Sequence, residues 1–142
     1  YLGESRWNSM YQFNPMIESG ADVAFSSDVV TWSKLERANP FYGIQIGHTR
    51  VDIEDPLDPQ SFPGSMRPME DAKLSREVLL TGSTIKGAEQ MHLDDITGSL
   101  EVGKLADMVV LSEDFFNIEA DKIKDIKVEA VFFEGKLIRG SL

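Results

Sequence analysis

Three side chains can do acid–base or metal chemistry from recognisable positions. Asp28 comes directly after the apolar run Ala21-Asp22-Val23-Ala24-Phe25 and its Ser26-Ser27 stop. A carboxylate at the carboxyl end of a buried parallel strand stands where α/β architectures collect their ligand sites. There it can bind a metal ion and take a proton from activated water. An Asp capping the next turn fits the same residues. His48, beside Thr49-Arg50, reads either as a hydrogen-bonded histidine of the interior or surface, or as a pocket residue that touches substrate. His92 follows a helical stretch and reads as a surface or helix-end cation. These are the only two histidines, and neither belongs to a His-x-His or HExxH pattern. A hydrolytic zinc takes three protein ligands, so these residues do not make such a site by themselves.

Other candidates carry less. Glu70-Asp71 and Asp94-Asp95 are adjacent carboxylates, which do not face each other on a helix. Ser26-Ser27 has no base nearby in sequence, and the glycines lack the strand–loop–helix setting of a phosphate loop.

The elements that would position Asp28 are legible in outline. Met10, Phe13 and Ile17 are three and four apart, which predicts a short helix despite Pro15, with Gly20 as its left-handed stop. Ala21 to Phe25 then reads as a buried strand, the order of a βα unit. In the next stretch Ile44, Gly47 and Val51 share a helical face, but Gly43 and Gly47 weaken a helix there. Residues 52–70, with Pro56, Pro59, Pro63 and Pro68, read as loop. Leu74, Val78, Thr81, Ile85 and Ala88 predict one helix over Leu74 to Met91, with Ser75 as N-cap and Glu77 in the first turn. Gly82 and Gly87 weaken it and permit close packing. Leu105 to Leu111 reads as a strand. Val128 to Phe133 and Lys136 to Arg139 flank Glu134-Gly135, a tight hairpin. Asp121 to Lys127 reads as a solvated turn or short helical piece.

Composition excludes several classes. Lys and Arg number 14 against 24 Asp and Glu, a net charge of −10. Nucleic acid selects basic patches, so it is not an expected partner, and neither is an anionic membrane surface. No apolar run approaches the ~20 residues of a membrane span, and no secretory signal opens the chain. With no cysteine there is no disulfide, thiol nucleophile or Cys-based metal site. That suits a cytoplasmic protein. The 142 residues are enough for a real core. The chain opens at Tyr1 without an initiator Met, which reads as a piece of something longer.

Two blocks together resemble a known family. The first is Asp22-Val-Ala-Phe-Ser-Ser-Asp28, followed by Asn39-Pro40-Phe41 and Thr49-Arg50. The second is Ile96-Thr-Gly-Ser-Leu-Glu-Val-Gly-Lys-Leu-Ala-Asp-Met-Val-Val-Leu111, followed by Val128 to Gly135. Between them, Thr84 and Ala88 match the family's helix. This resembles the carboxyl-terminal part of the amidohydrolase superfamily, most closely its amidohydrolase 3 group (N-substituted formamide deformylase-like, metal-dependent hydrolases). The resemblance implies an α/β fold: the last βα segment of a (β/α)8 barrel over residues 1–92, and strands of a small β-sandwich over 93–142. It implies that Asp28 is the final strand's metal ligand and general base, with zinc or another divalent metal in the full-length enzyme. The family's other ligands, an early His-x-His, a Lys or Glu and two later histidines, have no match here. Arg50 matches the family's Arg after the last strand, whose role there is structural or substrate-proximal. Arg50 and His48 stand as candidate substrate contacts, although His48 replaces a position that is usually small and apolar. Ser26 stands where the family often has Gly. The second block reads as structural, with Asp107 bonding a neighbouring turn.

The expected activity is hydrolysis of a small molecule's amide-type C–N bond in the parent enzyme, the chain alone being inactive and self-associating through exposed barrel surface. The alternative is a free-standing, non-catalytic α+β binding or oligomerisation domain.

Overall fold

The computed structural model describes residues 6, 10–29, 31–54 and 72–141. The prolines of the expected 52–70 loop lie outside them. The helix α1 runs Asn14–Glu18, with Pro15 in its first turn, where a missing N–H costs nothing. Gly20 at φ +91° ends it. Its N–H and that of Ala21 return to Ile17 O and Met16 O at 2.9 and 3.0 Å.

Residues 21–29 are extended but form no ladder, which corrects the strand expected over Ala21 to Phe25. Phe25 N donates to Gly82 O at 3.1 Å. A parallel strand is made by neighbours on its edges, and no described segment lies alongside as one.

The 3-10 segment Trp32–Ala38, kinked at Lys34, leads into α2, Pro40–Thr49. The Asn39 side chain caps α2, accepting from Phe41 N at 3.1 Å, and Pro40 stands in its first turn. Phe41, Tyr42, Ile44 and Gln45 are buried. Gly47, a reason against a helix in the sequence, is a packing requirement: a Cβ there would stand 2.7 Å from Leu79 Cδ2.

The single helix expected over Leu74 to Met91 is two, α3 at Arg76–Gly82 and α4 at Ile85–Gln90. Ser75 caps α3, accepting from Val78 N at 3.1 Å, and Glu77 lies in its first turn. Hydroxyls explain the break. Thr81, Ser83 and Thr84 donate to the carbonyls of Glu77, Leu79 and Leu80 at 2.7–2.8 Å, competing with the backbone ladder. Gly82 lets Phe25 approach, since a Cβ there would meet its ring at 2.4 Å.

Three strands follow: β1 Met108–Leu111, β2 Val128–Phe133 and β3 Lys136–Gly140. They form an antiparallel sheet in the order β1-β2-β3. Glu134 and Gly135, at φ +50° and +76°, make the expected tight turn. Asp107 bonds turns as expected, Oδ2 accepting from Thr97 Oγ1 and Oδ1 from Glu134 N, both at 2.9 Å. The run around it is thus a brace between the 97–98 turn and the hairpin tip.

The core joins Phe41, Ile44, Leu74, Leu79, Phe115, Ile123 and Ile126. Ile123 is fully buried in the 3-10 turn Ala120–Asp125, so that stretch is a core element with solvated flanks. Gln45 Oε1 accepts from Lys124 N at 2.9 Å and Asn39 Nδ2 donates to Lys124 O at 3.3 Å, fastening this turn to α2. No helix among the described residues is long and apolar enough to cross a membrane.

Candidate functional site

Asp28 stands at the end of the extended run, exposed, with φ +47°. An Asp tolerates this left-handed geometry better than most residues do. The bend turns the chain from the extended run toward the 3-10 segment Trp32–Ala38, whose Trp32 is 87% exposed.

His48 sits at the far end of α2, half-buried. Its Nδ1 lies 2.9 Å from Leu74 O, so Nδ1 carries the proton and donates. Its Nε2 receives a long contact of 3.5 Å from Arg76 Nε. Arg76 in turn donates from Nη1 to Phe115 O at 2.7 Å and from Nη2 to Ile118 O at 2.5 Å. This fork ties the start of α3 to the loop after β1. The sequence reading passed over Arg76. Its signal was a cation in the first turn of a helix, against the dipole, which asks for some other partner.

Arg50 is the left-handed residue that closes α2, at φ +61°, its N–H on Ile46 O at 2.7 Å. Its Nε is buried without a hydrogen-bond partner. Burial pulls the guanidinium pKa down from its ordinary value, and nearby Tyr11 partly opposes this. Arg50 lines a cavity of about 320 Å³ shared with Phe13, Phe25, Ser26, Leu79 and Ser83. The three residues singled out in the sequence therefore have different surroundings: Asp28 in solvent, His48 against Leu74 and Arg76, Arg50 on the cavity.

A fourth cluster fastens the segment after Asp28. Glu54 accepts from Lys34 Nζ, from Arg37 Nε at 3.1 Å and from Tyr42 Oη at 3.1 Å. The Lys34 hydrogen bond, followed by that of Arg37, holds the Glu54 carboxyl at about 2, below its ordinary 4.5. Desolvation, then the bond to Glu54, raises Tyr42. With the folded value of Glu54 depressed, the stabilisation it contributes is complete above pH 4.5 and is lost as the pH falls through about 2. A carbon-detected titration should place the Glu54 midpoint near 2, and Lys34→Ala should raise it. A wild-type midpoint near 4.5 would contradict the clasp.

Among the described residues no group of three or more His, Cys, Asp or Glu comes together to hold a metal ion.

The model of the amidohydrolase family matches residues 1–139. Imidazolonepropionase of Bacteroides thetaiotaomicron is 46% identical over 46 residues, which are 32% of this chain and 11% of that protein. A solved amidohydrolase from Thermotoga maritima MSB8 aligns over 73% of this chain and 36% of its own, at 20% identity and a TM-score of 0.41. The chain thus spans well under half the length of these relatives. With the match running from residue 1 to residue 139, the chain belongs to the amidohydrolase family, in its amidohydrolase 3 group.

Proposed function

We propose that the chain supplies the last βα segment of a (β/α)8 barrel and strands of a small β-sandwich to a metal-dependent amidohydrolase, and that Asp28 is its contribution to the reaction centre. The reaction is hydrolysis of a non-peptide, amide-type C–N bond in a small molecule. The observation that carries this reading is the family match over residues 1–139, together with an exposed carboxylate directly after an extended run.

The donor chemistry fits a divalent ion in one respect. Asp28 offers carboxylate oxygens with no described side chain competing for them, which suits one ligand of a set completed by other parts of the protein. His48 is not available to that set, because Leu74 O and Arg76 occupy its two nitrogens. A zinc or similar ion, when bound, polarises water so that it can attack at neutral pH. Asp28 takes the proton from the attacking water on a carboxylate oxygen and hands it to the departing nitrogen. The Glu54 clasp keeps the segment after Asp28 in place while this happens. His48 and Arg50 act as packing and cavity residues. The reaction takes place in the cytoplasm.

The chain alone is catalytically silent, since a hydrolytic zinc takes three protein ligands and the described residues bring one. Exposed Met16, Trp32 and Leu35 give the isolated chain an apolar surface through which it self-associates. Equilibrium dialysis against zinc provides the test. The 142-residue chain should retain no stoichiometric metal, and the complete gene product should retain it in a form that Asp28→Asn weakens. Tight one-to-one zinc on the isolated chain, or full retention by the Asp28→Asn enzyme, would overturn the assignment.

A further inference from the structure

Behind the extended run, α2 and α3 leave the 320 Å³ cavity only partly filled. That volume is at the lower end of small-molecule sites, which span about 300–1,000 Å³. Phe13, Phe25, Ile44 and Leu79 make its wall largely apolar. Two cations reach it. Arg37 is occupied by Glu54. Arg50 has no acid partner among the described residues, and its Nε is the one buried side-chain nitrogen or oxygen there without a hydrogen bond. Leaving such a donor unmet is costly, and more so when it carries charge. Asp28 does not line the cavity.

We propose that this cavity binds a small organic monoanion, a carboxylate with an apolar tail. The carboxylate accepts from the Arg50 guanidinium, whose planar fork matches two oxygens. The tail packs on Phe13, Phe25 and Leu79. A single uncommitted cation in an apolar wall favours one negative charge over a phosphate, which asks for more donors. The site is independent of the reaction assigned to Asp28, and its test does not depend on any activity.

Hexanoate and hexanamide are the probes, titrated into the 142-residue chain and followed by NMR shifts. The two share shape and tail and differ in charge. Hexanoate should bind saturably and roughly tenfold tighter than hexanamide, the scale of a charge-assisted hydrogen bond. Arg50→Met should erase that difference. Gly43 also lines the cavity, lies within α2, and would carry a Cβ with nothing inside 4 Å. Gly43→Leu should therefore fill the space and abolish binding of both probes while the helix stays intact. Equal binding of acid and amide, no saturable binding, or unchanged binding to Gly43→Leu overturns the proposal. Should Arg50→Met fail to fold, the acid–amide comparison and Gly43→Leu decide the matter between them.

Discussion

Asp28→Asn in the complete enzyme is expected to lower kcat by about 10²–10⁴-fold, the range attached to one acid–base group, and to leave the fold untouched. The substitution is chosen for its backbone. At φ +47° a residue with a short polar side chain is comfortable, and Asn accepts that geometry as Asp does. Alanine would add strain to the loss of charge, and the two effects would be confounded. Asn keeps size and shape while removing the basic oxygen and the negative charge. Steady-state kinetics should show the loss in kcat, with the thermal midpoint of the variant matching wild type. A wild-type kcat in Asp28→Asn would end the assignment of this carboxylate as the base.

Ile123→Ala is expected to destabilise the fold by about 2–5 kcal/mol, the range for truncating a buried aliphatic side chain. The upper part of that range is expected here. Ile123 is fully buried, and the turn that carries it cannot settle inward to close the void. Gln45 and Asn39 hold Lys124 on both its N–H and its carbonyl, so the backbone is pinned immediately after the deletion. Urea denaturation should show the midpoint falling with little change in slope. Ile138→Ala, at an exposed position of β3, serves as the comparison and should shift stability by less than about 0.5 kcal/mol. Equal losses at the two positions would refute the placement of the core.

The parts of this fold written in local chemistry were readable from sequence. Ser75 is a cap because its oxygen reaches Val78 N, and Glu134-Gly135 is a tight turn because both residues take positive φ. Asp107 was readable as a bridging carboxylate between turns. The parts decided by contact were not. Gly43 and Gly47 argued against a helix that exists because Gly47 must let Leu79 in. The strand at 21–25 had the right composition and lacks a neighbour to pair with among the described residues. The break at Ser83-Thr84 needed three hydroxyls to choose carbonyls over solvent, a choice that periodicity does not register. Ile123 alternated with charges like a surface residue, yet its turn folds under α2. At the candidate site, the sequence named Asp28, His48 and Arg50 as candidates, and the structure supplies their surroundings. The occupation of His48 by Arg76 and the cavity around Arg50 depend on segments far apart in sequence.

The antiparallel sheet touches the helical half chiefly through the connection that bears Ile123, with Leu111 and Val128 at its margin. Adhesion between the halves thus resides in a linker, not in strand pairing. The three-stranded meander is consequently expected to behave as a cooperative unit of its own in hydrogen exchange. Its amides can unzip from the free edge of β3 inward while the amides of α2 stay closed, whereas release of the linker exposes both halves at once.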